Sequence, residues 1–354
     1  MTSSLETVSG APPDAAVVAR LVGVSCDFSV RLLGRGRGTV HAVDNVNLAV
    51  ERGRTLGLVG ESGSGKSTLA RLLLRLIRPT SGQVMLGDDD ITRAKGAHLR
   101  TLRRKMQLVF QDPYSSFDPL ANIGSSVGEA LRVHTDLGRA ARERRIAELL
   151  DQVRLPASFA RRRPREVSGG QLQRAAIARA LATEPELLAL DEPLSSLDVA
   201  TQVQIVDLLG DLQERLGIAY LFISHDLNLV RSLSQTVAVM YLGRIVEEGP
   251  VAELFSAAHH PYTQALLSAS PSIDPARRRL RIVLQGDIPS PMNPPSGCHF
   301  RTRCRHAMEI CAAEEPVNTE VGGLIVRCHL MKPTYHPDVT TADSSIRQES
   351  PKTT

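Results

Sequence analysis

The sequence predicts an α/β fold built around a buried parallel sheet, and three observations lead to that prediction. Continuous apolar runs at residues 56–59 and 187–190 have the pattern of strands covered on both faces. A helix-like segment follows the first run, and the amphipathic segment 200–216 follows the second. Polar, chemistry-bearing residues come directly after both runs, where the carboxyl ends of parallel strands form ligand sites.

The first apolar run leads into GESGSGKS, residues 60–67, which fits the phosphate-loop pattern G-x-x-x-x-G-K-[ST] at every fixed position. Its three glycines let backbone amides turn inward, and the loop opens onto a helix N-terminus that attracts phosphate oxygens. Lys66 is expected to bridge the β- and γ-phosphates, and the Ser67 hydroxyl to hold Mg²⁺. The residues predicted to bind ATP here are Gly60, Glu61, Ser62, Gly63, Ser64, Gly65, Lys66, Ser67 and Thr68.

The second apolar run ends in Asp191 and Glu192, within ELLALDEP. Beyond the end of a buried strand, Asp191 is expected to reach the Mg²⁺ shell. Glu192 is then placed as the general base that takes a proton from the attacking water. Taken alone, the segment could be any strand followed by an acidic turn. Its occurrence together with the phosphate loop indicates a nucleotide-hydrolysing site.

A third pattern, VSGGQLQR, precedes the helix-like stretch AAIARALA. Ser168 is a natural N-cap, and Gly169 and Gly170 bare the backbone at the helix start, which predicts a second anion site. Together with the phosphate loop, this SGGQ segment resembles the signature of ATP-binding cassette (ABC) ATPases, and the resemblance implies that Gln171 also takes part in ATP binding. The chain has Val167 where that family normally has leucine.

The resemblance extends to three further segments and assigns their roles. VFQDP supplies Gln111, which resembles the Q-loop glutamine that contacts Mg²⁺ and the attacking water. SSLD ends in Asp198 and resembles the D-loop at the interface between two cassettes. ISHD supplies His225, like the switch histidine that contacts the γ-phosphate. Phe28 is the candidate for stacking on adenine, with an ordinary core position as the equal alternative.

The fold implied by the resemblance is an ABC-type phosphate-loop NTPase core with an antiparallel β subdomain, a helical subdomain and a small cysteine-containing C-terminal extension. Residues 18–250 would form the cassette, with the helical subdomain at about 112–165. The extension would cover residues 251–332. Residues 1–17 and 333–354 are rich in Ser, Thr, Pro and Asp and are predicted to be disordered.

Four of the five cysteines lie close together in the sequence, at Cys298, Cys304, Cys311 and Cys328. Disulfides are disfavoured in a reducing cytoplasm, and the spacings lack the Cys-x-x-Cys knuckles that zinc usually requires. Four thiolates are the ligand count of an iron–sulfur cluster, and four unrelated core thiols remain as the weaker alternative. Cys26 stands apart and is expected to be an inert core residue.

The extension narrows the resemblance further. HPYTQALL, followed by P-x-G-C-x-F-x-x-R-C and two later cysteines, resembles the C-terminal region of oligopeptide, dipeptide and nickel importer ATPases. Some members of that group bind a [4Fe–4S] cluster through such cysteines, so the resemblance implies this cofactor here. FQDPYSSFDP resembles one of the two paralogous ATPases of those importers, with Phe117 in place of the usual leucine.

Composition and charge set outer limits. The chain has 354 residues, a net charge of +4 and only 3% aromatic residues. It has no run of 18 apolar residues and no signal-peptide layout, which predicts a cytoplasmic protein that relies on partners for membrane spans. Arginines crowd residues 139–165, where a contact with anionic lipid or nucleic acid is the alternative to a solvated helical face. The solvated face is favoured because Ile146, Leu149, Leu150 and Val153 form one apolar stripe, which leaves the opposite side of the helix to the arginines, and because so few aromatic residues are available to stack on bases.

The implied function is that of an ATPase subunit which powers import of peptides or a related solute. Its expected partners are a second cassette (a paralog or another copy), two permeases and an extracytoplasmic solute-binding protein, with no nucleic acid, at the cytoplasmic face of the membrane. In the family, two cassettes close head-to-tail, so that one signature segment completes the other's ATP site. The alternative is a soluble cassette acting on nucleic acid or ribosomes. A non-catalytic binding module is a third reading, which the intact motifs argue against.

Overall fold

In a computed structural model of the chain, the described residues are 16–32, 36–269 and 282–332, and they form two β-sheets with helices packed around them. The predicted disorder of the two ends lies largely outside these ranges. Ala16 and Val17 are described, and Val17 already begins the first strand. Within the described ranges, no helix combines the length and apolar character needed to cross a bilayer.

The smaller sheet is antiparallel and has the strand order β2-β1-β4-β5. It corresponds to the predicted β subdomain, and β1 and β2 pair along most of their length. The inward-facing side chains of this sheet share one apolar core with the helix that follows the phosphate loop. Its strands are β1 Val17–Leu32, β2 Gly36–Glu51, β4 Ser81–Leu86 and β5 Asp89–Asp90.

The larger sheet has eight strands in the order β11-β12-β10-β9-β3-β8-β7-β6. The five strands from β9 to β6 run parallel, and β3, β7 and β8 are buried at every residue, as their continuous apolar sequences predict. The other three strands pair antiparallel. The strands are β3 Thr55–Val59, β6 Met106–Val109, β7 Leu187–Asp191, β8 Ala219–Ile223, β9 Thr236–Tyr241, β10 Arg244–Pro250, β11 Asn318–Val321 and β12 Leu324–Arg327.

The helices follow the strands in the predicted alternation, and a helical region occupies the segment expected at about 112–165. Short 3-10 turns at Ala157–Arg161, Pro164–Glu166 and His329–Met331 supplement them. The helices are α1 Lys66–Leu73, α2 Gly96–Arg104, α3 Pro113–Ser116, α4 Ile123–His134, α5 Arg139–Gln152, α6 Gly169–Leu181, α7 Val199–Leu216, α8 Leu227–Leu233, α9 Val251–Ala257, α10 Pro261–Ala269 and α11 Ile310–Ala313.

The C-terminal extension continues the central sheet instead of forming a separate layer. Strand β12 pairs with β10 at Glu247↔Val326 and Glu248↔Ile325, and β11 completes the edge. Buried residues of the extension, among them Phe300, belong to the same apolar core as the helical subdomain. The extension therefore gains its stability from the cassette to which it is attached.

A buried carboxylate stabilises the junction between the cassette and the extension. Glu247 on β10 is fully buried, and its two carboxylate oxygens accept hydrogen bonds from the backbone N–H groups of His259 and His260, at 2.7 and 3.2 Å. Burial raises the pKa of Glu247. The Nδ1 atom of His260 in turn accepts from the N–H of Tyr262, so both residues that precede α10 are fixed at the helix start.

We expect Glu247→Ala to lower the free energy of unfolding by on the order of 2–4 kcal/mol, because it leaves buried backbone donors without an acceptor. Urea unfolding followed by circular dichroism measures this loss. The control is Glu253→Ala on the exposed side of α9, which should change the free energy by less than about 0.5 kcal/mol. Equal effects of the two substitutions would contradict the structural role of Glu247.

Candidate nucleotide site

The phosphate loop joins the end of β3 to the start of α1, and close backbone approaches fix its path. Gly60 and Gly65 have φ of 153° and 108°, which side-chain-bearing residues rarely adopt. A Cβ at Gly60 would collide with the carbonyl oxygen of Met240, and one at Gly65 with that of Ala42. Glycine is therefore required at both positions, by conformation as well as by space.

Lys66 is almost fully buried at the base of this loop. Its ammonium donates hydrogen bonds to the carbonyl oxygens of Gly60 and Glu61, at 2.8 and 2.9 Å. Burial lowers the pKa of Lys66, and the nearby carboxylates of Glu192 and Asp191 oppose that shift. The lysine charge is thus fixed within the loop itself, as the phosphate-loop motif requires.

Two oxygen donors suited to Mg²⁺ lie side by side next to the loop. The Ser67 hydroxyl donates to the Oδ1 atom of Asp191 at 2.9 Å. Asp191 is buried, and desolvation raises the pKa of its carboxyl group. A hydroxyl and a carboxylate fit the preference of Mg²⁺ for oxygen ligands. The predicted Mg²⁺ residues Ser67 and Asp191 therefore meet, although they come from distant segments.

Glu192 is the centre of a second polar group. Its Oε2 atom lies 3.3 Å from the Nε2 atom of Gln111 and 3.3 Å from the Nδ1 atom of His225. The backbone of Glu192 has a φ of 47°, and its N–H donates to the carbonyl of Ile223 at 3.0 Å. A left-handed conformation is unusual for glutamate and accompanies functional sites more often than simple turns. The structure thus brings together the three residues that were predicted from three separate strand ends.

The signature segment forms the predicted helix N-terminus. Ser168 caps α6 by accepting from the N–H of Gln171 at 3.3 Å, and the Oε1 atom of Gln171 accepts from the N–H of Ser168 at 3.0 Å. A Cβ at Gly170 would collide with the side chain of Thr201 on α7, and one at Gly169 would lie close to that of Leu197. The glycines therefore also serve packing, a reason that the sequence did not reveal.

Two predicted nucleotide residues lie outside the central cluster. Asp198 caps α7 and accepts hydrogen bonds from the N–H and the hydroxyl of Thr201, at 2.9 and 2.7 Å. Within the described ranges, no hydrogen bond or ion pair joins Asp198 or Ser168 directly to Lys66. Phe28 is 40% exposed on β1, opposite Val40, so it is not the core residue of the alternative prediction.

One contact between the extension and the phosphate loop was not predicted from the sequence. The guanidinium of Arg303 forms two hydrogen bonds with the Glu61 carboxylate, at 2.6 and 3.1 Å, and the Tyr262 hydroxyl accepts from the Glu61 N–H at 2.8 Å. Glu61 occupies a position that the loop motif leaves free. The available signal was the arginine in the segment P-x-G-C-x-F-x-x-R-C.

The four clustered cysteines are free thiols in one partly buried region. The N–H of Cys298 donates to the carbonyl of Cys311 at 2.8 Å. Burial, together with the other three thiols, raises the pKa of Cys328 to about 12, and burial also raises the pKa of Cys304. In the part of the chain that the structure describes, no three His, Cys, Asp or Glu residues are arranged to hold a metal ion. Cys26 is buried and apart, as expected.

Comparisons with known sequences match both parts of the chain. The family profile described as "ABC transporter" matches residues 43–195, and the profile "Oligopeptide/dipeptide transporter, C-terminal region" matches residues 246–311. A Sinorhizobium fredii protein provisionally named a peptide ABC transporter ATP-binding protein is 50% identical over 295 residues, covering 83% of this chain and 84% of its own. A Brucella abortus protein provisionally named a peptide import ATP-binding protein is 50% identical over 297 residues, covering 83% and 88%.

Solved structures share the cassette. The ATP-binding cassette MJ0796, captured as a dimer in a post-hydrolysis state with ADP and Pi, has 30% sequence identity and a TM-score of 0.59. It covers 66% of this chain and 98% of its own. The protein cbiO1 of Clostridium perfringens, part of the ABC transporter complex cbiONQ, has 27% identity and a TM-score of 0.60 and covers 68% and 92%.

These relatives are named for transport, which does not favour the alternative of a soluble cassette acting on nucleic acid or ribosomes. The fold, the phosphate loop with its buried lysine and the two carboxylates at the end of β7 agree with the sequence comparisons over most of the chain. The chain belongs to the ATP-hydrolysing ATP-binding proteins of the ABC transporter family and carries the oligopeptide/dipeptide transporter C-terminal region.

Proposed function

We propose that the chain powers uptake of peptides, or of a related small solute, by hydrolysing ATP at the cytoplasmic face of a membrane-embedded importer. The observation that carries this proposal is the polar cluster at the ends of β3, β6, β7 and β8. It pairs Ser67 with Asp191, and Gln111 and His225 with Glu192. The importer assignment rests on the C-terminal region and on the names of the two bacterial relatives.

Each residue of the cluster has a role in this proposal. The loop amides and Lys66 bind the phosphates, while Ser67 and Asp191 would hold Mg²⁺, which would neutralise phosphate charge. Glu192 takes the proton from the attacking water. Gln111 donates to the Oε2 atom of Glu192, and the Nδ1 atom of His225 lies 3.3 Å from the same oxygen, so both are positioned to orient Glu192 and the water beside the γ-phosphate.

A second cassette completes the site in this proposal. Ser168, Gly170 and Gln171 lie at the start of α6 and would face the γ-phosphate bound by the opposite subunit, where a helix N-terminus attracts anions. Next to Asp198, the apolar side chains of Val199 and Val203 are exposed, which suits a surface that another subunit covers. Hydrolysis would remove the phosphate that bridges the two surfaces and let them separate.

A permease is the proposed partner of the helical subdomain. Three large apolar side chains in the segment 110–120, which contains Gln111, are exposed: those of Phe110, Tyr114 and Leu120, of which Leu120 is 80% exposed. The Tyr114 hydroxyl also reaches the carbonyl of Val167, the residue before the signature serine, at 3.5 Å. Movement of this surface would therefore displace both Gln111 and the signature segment. The proposed complex contains two permeases and an extracytoplasmic solute-binding protein.

An iron–sulfur cluster is the proposed occupant of the cysteine region. The donor set fits by its chemistry, because four free thiols lie in one partly buried region and burial raises the pKa of Cys298, Cys304 and Cys328. Cys298, Cys304, Cys311 and Cys328 would supply the four ligands. When bound, such a group cross-links the segments of the extension that carry its ligands.

Glu192→Gln is expected to preserve ATP binding and to slow turnover by roughly 10²–10⁴-fold, because glutamine cannot accept the proton. Steady-state phosphate release measures the turnover, and ATP titration of the same preparation measures the binding. The control is Glu214→Gln on the exposed face of α7, which should leave both unchanged. Undiminished turnover in Glu192→Gln would remove Glu192 from the role of base.

Lys66→Ala acts at the binding step instead. Loss of a charge-assisted hydrogen bond to phosphate is expected to weaken ATP binding by about 10- to 100-fold. Isothermal titration with ATP and Mg²⁺ measures it directly. Lys105→Ala provides the control, because Lys105 is an exposed lysine that pairs with Glu186. Wild-type affinity in Lys66→Ala would contradict the assignment of this loop.

Protein purified without oxygen should contain about four iron and four labile sulfide per chain and absorb visible light. Cys328→Ser should lose both signals, because it removes one ligand, whereas Cys26→Ser should keep them. A colourless protein that contains zinc and no iron would refute the cluster and leave the ATPase proposal untouched.

A further inference from the structure

Glu61 has all three of its polar groups engaged, and two of its partners come from the C-terminal extension. Its carboxylate pairs with Arg303, and its N–H donates to the Tyr262 hydroxyl. Its carbonyl accepts from the ammonium of Lys66 at 2.9 Å. A single residue inside the phosphate loop therefore connects the extension to the lysine of that loop.

The Arg303–Glu61 pair is partly buried and geometrically specific. The Arg303 side chain is 7% exposed, and its two terminal nitrogens meet the two carboxylate oxygens in the bidentate arrangement. Its hydrogen bonds with Glu61 raise the pKa of Arg303 further, so the guanidinium stays charged. Such a pair restricts the carboxylate more than an exposed ion pair would, because the low exposure of the Arg303 side chain limits competition from solvent.

Packing within the extension and against β9 holds Arg303 and Tyr262 in place. The rings of Tyr241, Tyr262 and Phe300 are buried and pack with centroids 4.7 to 5.4 Å apart. The N–H of Arg303 donates to the carbonyl of Phe300 at 3.0 Å. The Nδ1 atom of His299 lies 3.2 Å from the carbonyl of Leu242, in the turn between β9 and β10. That same turn contacts the phosphate loop, where the N–H of Gly243 donates to the carbonyl of Ser64 at 2.9 Å.

We propose that Arg303 is a positioning residue for ATP binding: it holds Glu61, and through Glu61 the phosphate loop and Lys66, in the geometry that receives the phosphates. This proposal rests on the proposed function of the loop. Tyr262 assists by fixing the N–H of Glu61. In this proposal the extension supports the ATP site through Glu61 and does not itself contact the nucleotide.

Arg303→Gln is expected to raise the Kd for ATP with Mg²⁺ by roughly 5- to 30-fold, because the loop loses its charged anchor. Isothermal titration of the purified full chain measures it. Arg303→Lys should recover part of the affinity, since it restores the charge without the fork. The matched control is Arg301→Gln, two residues away, because the described hydrogen bonds of the Arg301 side chain go to Ser296 and not to the phosphate loop.

A double-mutant cycle separates positioning from general stability. If the pair acts as one unit, Glu61→Gln should raise the Kd by a similar factor, and the double variant should be no weaker than the single ones. Independent, multiplying effects would contradict the proposal. If Arg303→Gln lowers the thermal midpoint of the free chain but leaves the Kd for ATP within twofold of wild type, Arg303 is structural and the proposal fails.

The hydroxyl contact provides a variant that changes little else. Tyr262→Phe retains the buried ring and should raise the Kd by a smaller factor, about 2- to 5-fold. Tyr220→Phe, which removes a buried hydroxyl bonded to the Leu209 carbonyl on α7, should not change the Kd. Lys66→Ala distinguishes the two levels of failure. If it binds ATP normally, the loop assignment is wrong. If it binds weakly while Arg303→Gln binds normally, only the positioning role is wrong.

Discussion

The parallel register of the central sheet is the constraint on which the site depends. Leu58 on β3 and Asp191 on β7 both stand opposite Ile223 on β8, so three strands end at the same level of the sheet. The residues that follow them, the phosphate loop, Glu192 and the segment leading to His225, must therefore lie at one edge. Burial of these strands on both faces makes a slip in register costly, and the relative placement of the catalytic groups inherits that rigidity.

This dependence explains which parts of the site could be predicted from sequence. Ser67 and Asp191 are 124 positions apart, yet their pairing was predictable, because each residue has a fixed offset from its own apolar strand. The same holds for Gln111 and His225 relative to Glu192. The left-handed backbone of Glu192 was not predictable, since nothing in DEP requires it. It arises because the Glu192 N–H turns back to bond with the neighbouring strand at Ile223.

The sequence predicted the extension as a separate piece, and the structure shows why that description is incomplete. Strands β11 and β12 are short, and the apolar residues Leu324 and Val326 of β12 complete a core that begins in the cassette. Whether a short strand joins an existing sheet depends on an open edge elsewhere in the chain, here β10, which local patterns do not reveal. The Arg303–Glu61 pair spans 242 positions and involves a loop residue that the motif leaves unspecified.

A phosphate loop gains affinity when its polar groups are already arranged before the nucleotide arrives, because binding then costs less conformational entropy. In many loops of this kind, glycine makes the required path possible without making it stable, since glycine loses the most freedom on ordering. In this chain the neighbouring turn at Gly243 and the extension side chains at Glu61 compensate for that freedom by fixing the loop from outside. The glycines thus permit the path of the loop, and the C-terminal extension restrains the loop to that path. This is a physical reason for the extension to pack directly against the loop.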